Sequence, residues 1–209
     1  MIFLNPIYQF IVEHFATKIN HFPLVELIFY SLDKTIFYFL IFVVGYTLYL
    51  KIQRKKQTKT HIVIILIMVF YLMLLLSLTV FRGIYFPWDI KFYFYRPLEQ
   101  INLQVLDETV KLSFAKSQLD FFYNSFGNIL WFMPLGFLMK LLFKKRFSMI
   151  RIVLISLLLS LSIEGMQFVL WTGVADVDDV IFNTIGGFLG SSLALMFQQI
   201  FNNFTKRSD

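Results

Sequence analysis

Hydrophobic positions run along this chain in long uninterrupted blocks. Residues 62–81 give 20 consecutive positions without Asp, Glu, Lys or Arg, residues 121–139 give 19, and residues 180–205 give 26. Residues 152–172 are interrupted only by Glu164, and residues 35–50 form a shorter run of 16. About 20 apolar residues in a helix cross the hydrocarbon core of a bilayer. The runs therefore predict five transmembrane helices. The shortest reaches a full span if its helix enters the bilayer near Asp33, tilted or extended upstream through the apolar residues 24–32. The expected fold is all-α: a polytopic integral membrane bundle of about five transmembrane helices.

Two segments follow another pattern. Residues 1–22 are apolar with Glu13, His14, Lys18 and His21 interspersed, which fits a short interfacial helix after Pro6. The stretch from Arg82 to Asp120 is dense in aromatic residues, which favour the headgroup level. The expected organisation is an outer or interfacial segment, 1–34, and a five-span membrane domain, 35–209. No repeat and no low-complexity linker appears.

Composition agrees: 58% of residues are hydrophobic and the mean hydropathy is +0.70, against about 45–50% apolar for a soluble domain. With no cysteine, disulfides and thiolate metal sites are excluded. The first residues lack a basic n-region and an A-x-A-like site, so no cleaved signal peptide is expected.

Charge sets the orientation. The connection after residue 50 carries Lys51, Arg54, Lys55, Lys56 and Lys59, and the one after residue 139 carries Lys140, Lys144, Lys145, Arg146 and Arg151. With Lys206 and Arg207, these alternate segments concentrate the basic residues, which marks them as cytoplasmic. The N-terminus then lies outside, as do residues 82–120 and 172–179, and the C-terminus lies inside. The net charge of +6 is read as anchoring to an anionic inner leaflet, and nucleic acid is not an expected partner.

The candidate chemistry lies in and above the last three spans. Glu164 sits eight residues before Thr172, roughly 12 Å below the outer rim at about 1.5 Å per residue. An ionisable group at that depth is costly and points to function, although a hydrogen-bonded glutamate pinning two helices is the plainer alternative. Gln167 and Trp171 follow at i+3 and i+7, on the same predicted face. Asn128 and Asn183 lie at similar depth on neighbouring spans. Asp176, Asp178 and Asp179 occupy the turn between the last two spans. One of them, Asp178 or Asp179, is expected to cap the final helix. Three together admit a divalent cation, although no other metal or cofactor is expected. Gly186, Gly187 and Gly190 form a small-residue stripe suited to close helix packing.

These residues resemble the VanZ-like family of teicoplanin-resistance-associated membrane proteins. "GNILWFMPLGF" is similar to the family's third span, "EGMQF" to the fourth, and "DVDDVIFNTIGGFLG" to the turn and fifth span. "YRPLEQINLQVLDE" looks like the family's outer-loop "R…NL" segment, with Gln104-Val105 in place of the frequent Ile-Pro, and it brings Arg96 in as a loop contact. The VanZ-like core is thus expected at about 96–201. The resemblance implies a multi-pass protein of the bacterial cell membrane, serving the envelope and lowering susceptibility to lipoglycopeptide antibiotics such as teicoplanin.

The leading functional reading is an outer-leaflet polar pocket of Asn128, Glu164, Gln167, Asp176, Asp178, Asp179 and Asn183. Its ligand would be an amphiphile: a lipoglycopeptide or a peptidoglycan-precursor lipid. A membrane enzyme using Glu164 as acid or base is the first alternative, disfavoured by the missing nucleophile. A small transporter or assembly partner is the second, with no inverted repeat to support it.

Overall fold

The computed structural model describes residues 1–19, 21–106, 118–143 and 146–205. Part of the aromatic loop (107–117), the basic pair Lys144 and Lys145, and the basic tail with Lys206 and Arg207 lie outside the described residues. Six α-helices occur among those described: α1 Asn5–Phe15, α2 Phe22–Ile52, α3 Lys59–Leu78, α4 Gln118–Phe143, α5 Met149–Leu170 and α6 Val177–Thr205. The connection between α3 and α4 carries two short 3₁₀ turns, Pro87–Asp89 and Leu98–Gln100. Five helices are long and apolar enough to cross a membrane: α2, α3, α5, and the segments Phe126–Phe143 of α4 and Val177–Ile200 of α6. They leave large apolar side chains exposed, such as Val44, Val63, Leu130 and Leu158. Exposure of that kind suits a hydrocarbon solvent, where outward apolar groups carry no cost.

The chain divides into two compact units, Met1–Tyr93 with Leu170–Gly173, and Phe94–Val169 with Val174–Asp209. In the first, α2 is continuous from Phe22, so the short run at 35–50 becomes a span by upstream extension. Asp33 and Lys34, in the middle of that helix, are both buried. The Asp33 carboxylate accepts the backbone N–H groups of Ile2 (2.7 Å), Phe3 (2.6 Å) and Leu4 (2.6 Å) and the Tyr85 hydroxyl (2.7 Å). The chain thus folds back to satisfy a charge that an apolar helix cannot leave bare. Next to it, Ser31 donates to the Ser77 carbonyl (3.1 Å) and the Thr35 and Ser77 hydroxyls lie 3.4 Å apart, linking α2 to α3 through small polar side chains.

In the second unit, α4 and α6 pack through glycine. A Cβ on Gly186 would meet the carbonyl of Ile129 and the Phe132 side chain, and one on Gly190 would meet the carbonyl of Met133. Gly136 of α4 presses reciprocally on the backbone of Gly187 and Ser191. Gly187 also faces the Ser156 side chain of α5. Without side chains at the crossing, the helix backbones come into direct contact, which fixes the relative register of the polar residues one to two turns away.

Candidate functional site

Glu164 lies near the end of α5 and is 6% exposed, and Gln167, one turn on, is 7% exposed. Glu164 Oε2 accepts the backbone N–H of Asp176 at 3.0 Å. Asp176 immediately precedes α6, and its Oδ1 accepts the N–H of Asp178 at 2.8 Å. That is an N-cap, so the helix is capped by Asp176 and not by Asp178 or Asp179. The reason is positional: α6 begins at Val177, which puts Asp178 and Asp179 in its first turn. There their charges complement the helix dipole and their oxygens face other donors. Asp178 Oδ1 accepts the N–H of Leu106 at 2.7 Å, and Asp179 Oδ1 accepts from the Asn128 amide of α4.

A segment outside the helices closes over these ends. Asn102 makes an isolated parallel bridge with Asp176: its N–H donates to the Ala175 carbonyl (2.9 Å), and its carbonyl accepts from Val177 (3.0 Å). Its side-chain amide donates to Asp176 Oδ2 at 3.0 Å. Arg96 is buried, donates from Nε to Gln100 (2.6 Å) and from Nη1 to the Phe168 carbonyl (3.2 Å), and stacks 4.8 Å above the Phe168 ring. A guanidinium beside the last turn of α5 suits that helix's negative end. Leu106, at φ 60°, holds a left-handed conformation that branched side chains seldom adopt, with its N–H on Asp178.

Most of the candidate residues therefore meet, although not all in the expected pairs. Glu164, Asp176, Asp178, Asn102 and Leu106 form one hydrogen-bonded chain, and Asn128 joins α6 through Asp179. Asn183, buried, donates instead to the Ser160 hydroxyl at 2.9 Å, one turn further into α5 than Glu164. Trp171 does not extend the Glu164–Gln167 face, because α5 ends at Leu170 and Trp171 takes a left-handed turn at φ 57°. The three aspartates each hold a separate donor, and among the described residues no group of three His, Asp or Glu side chains is placed to hold a metal ion.

Sequence reading passed over Ser160 and gave Asn102 only through the loop resemblance. Ser160 carried a faint signal: with Ser156 it forms an i, i+4 pair of small polar residues in a span, both fully buried. The Asp33–Lys34 pair had a stronger one, as adjacent charges inside an apolar stretch.

Five apolar helices, three of them joined at one end by hydrogen-bonded polar side chains, define a multi-pass membrane protein. The chain belongs to the VanZ/LLP1 family, whose profile matches residues 68–198. It is 39% identical over 72 residues to Protein VanZ of Enterococcus faecium, a match covering 34% of this chain and 44% of that relative. The aligned region thus spans less than half of the relative's length. No solved structure matches the chain.

Proposed function

We propose that this protein lowers the action of teicoplanin-type lipoglycopeptides on the bacterial envelope, by non-covalent binding of an amphiphile at the polar cluster around Glu164. The ligand is the drug itself or a peptidoglycan-precursor lipid, held in the outer leaflet. The observation that carries the reading is the Glu164–Asp176 contact: a carboxylate buried in a membrane-length helix and tied to the loop segment above it. Intramembrane ionisable groups mark ligand and ion sites more often than lipid-facing surface. Membership of the VanZ/LLP1 family and the similarity to Protein VanZ support the same direction. The proposed orientation puts the N-terminus outside, the C-terminus inside, and the cluster towards the outer face, in line with the basic residues at 51–59 and 140–151.

Teicoplanin and vancomycin differ in the fatty chain, so a mechanism that engages lipid discriminates between them. Expression in a susceptible Gram-positive host should raise the inhibitory concentration of teicoplanin more than that of vancomycin. The Glu164→Gln variant should lose most of the difference at unchanged membrane abundance. Equal shifts for the two drugs would point to a general wall effect and overturn the amphiphile reading.

A further inference from the structure

The first compact unit holds a cavity of about 260 Å³ between α2, α3 and the chain that follows α3. Its wall is mostly apolar, from Met73, Leu76, Phe81, Ile84, Phe86 and Ile90. One full charge lines it: Lys34, only 3% exposed. The ammonium donates to the carbonyls of Phe81 (2.6 Å) and Ile84 (2.8 Å) and lies near the faces of Tyr30 and Phe81, 5.8 and 6.0 Å from the ring centroids.

These partners are dipoles and quadrupoles, none of them an anion. Asp33, the adjacent residue, is occupied by the N–H groups of Ile2, Phe3 and Leu4 and by the Tyr85 hydroxyl. Asp89, on the 3₁₀ turn beyond the cavity, is exposed and accepts the N–H of Phe86 at 3.3 Å. Among the described residues, no carboxylate pairs with Lys34. The polar groups beside it are hydroxyls already committed to the protein: Tyr38 donates to the Tyr85 carbonyl (2.9 Å) and Thr35 to the Ser31 carbonyl (2.7 Å). A buried cation without a counter-ion is costly, and the two carbonyls, taking two of its three N–H groups, offset that cost only in part.

We propose that this cavity binds an anionic lipid, with its phosphate on the Lys34 ammonium and the first carbons of its chain against Met73, Leu76 and Ile84. The charge calls for an anion, the wall calls for hydrocarbon, and a helix pair of membrane-spanning length has lipid as its solvent. The site lies within the first unit and shares no residue with the Glu164 cluster, so it stands independently of the function proposed above.

The test uses the full chain in nanodiscs of mixed phosphatidylglycerol and phosphatidylcholine. Spin-labelled lipids report the association of each headgroup with the protein. The wild type should prefer phosphatidylglycerol, and Lys34→Met should lower that preference by about fivefold, the scale of one basic residue against anionic lipid. Lys34→Arg should retain most of it. Because Lys34 also fastens the Phe81 and Ile84 carbonyls, a second variant, Ile90→Trp, fills the cavity while leaving Lys34 in place. It should lower the preference by a comparable factor, and it decides the matter if Lys34→Met does not fold. A folded Lys34→Met or Ile90→Trp protein with unchanged preference overturns the proposal. Inorganic phosphate at millimolar concentration should leave the wild-type preference intact. If it abolishes the preference, the site takes a free anion and the lipid assignment fails.

Discussion

The Glu164 carboxylate and the Asp176 backbone N–H are 3.0 Å apart, joining the end of one membrane-length helix to the start of the next. The bond is to main chain, so substitution at Asp176 does not delete it directly. Glu164 is the side of the pair that a side-chain substitution removes without altering the backbone. Hydrogen bonds to a charged group contribute about 1.5–3 kcal/mol net. Glu164→Gln keeps an acceptor oxygen and should lower stability by about 1 kcal/mol, the difference between a charge-assisted and an ordinary hydrogen bond. Glu164→Leu leaves the amide without that acceptor and should cost about 1–3 kcal/mol more. Thermal unfolding of the detergent-solubilised protein measures both. Equal, negligible losses would mean that water or another residue already serves the amide.

The five spans were legible because hydrocarbon imposes length and charge limits that a sequence displays directly. That Glu164 falls inside a span, near one end, was legible for the same reason. Its partners were not. Whether Asn183 meets Glu164 or Ser160 depends on where α5 and α6 lie against each other along their axes, which is set by close contacts such as Gly187 on the Ser156 side chain. The start of α2 was misleading in the opposite sense. Asp33 reads as a boundary charge, yet three amides from residues 2–4 make its burial tolerable, and no local pattern announces a contact across about 30 positions.

The glycine crossing predicts a sharp contrast between sites. A Cβ at Gly190 falls on the Met133 carbonyl, and main chain cannot move aside cheaply. Gly190→Ala should therefore destabilise by about 1–3 kcal/mol, the usual cost of overpacking. At Gly45, in α2, nothing lies within 4 Å of the new methyl group. Gly45→Ala should be neutral or stabilising by up to about 1 kcal/mol, since glycine is a poor helix former. Unfolding midpoints of the two variants decide the matter. Similar losses at both positions would show that α4 and α6 do not make this contact in the bilayer.

The Tyr85 hydroxyl ionises above the usual tyrosine value of 10.0, because burial disfavours the phenolate and its hydrogen bond to the Asp33 carboxylate favours the neutral form. A folded pKa above the unfolded one means that the proton stabilises the fold. The contribution is fully present below about pH 10 and fades as pH rises through the folded value. In the wild type, stability should begin to fall above pH 10 with a component that Tyr85→Phe removes. The same variant should be less stable than the wild type at neutral pH by about 0.5–1.5 kcal/mol, one hydrogen bond. Asp33→Asn weakens all four bonds and should speed hydrogen exchange at the amides of Ile2, Phe3 and Leu4. Unchanged exchange at those amides would mean that the fold-back is not held by Asp33.

Orientation is the remaining prediction, and it rests on how cations partition during insertion. Lys51, Arg54, Lys55, Lys56 and Lys59 crowd the connection between α2 and α3 with the helix ends beside it, and Lys140, Lys144, Lys145, Arg146 and Arg151 do the same between α4 and α5. These connections are separated by two spans, α3 and α4, so they share one side of the membrane. Basic residues near span ends stay on the cytoplasmic side. On that prediction the segment with Arg96 and Asn102 should face outward, where the proposed ligand would be met. The chain has no cysteine, so single introduced cysteines give an unambiguous signal. In intact cells an impermeant maleimide should label Glu99→Cys, whose position is exposed on the 3₁₀ turn Leu98–Gln100, and should spare Thr58→Cys at the start of α3. Permeabilisation should make both reactive. The reverse pattern would put the Glu164 cluster near the cytoplasmic face, and with it would go the proposal that the cluster meets the drug from outside.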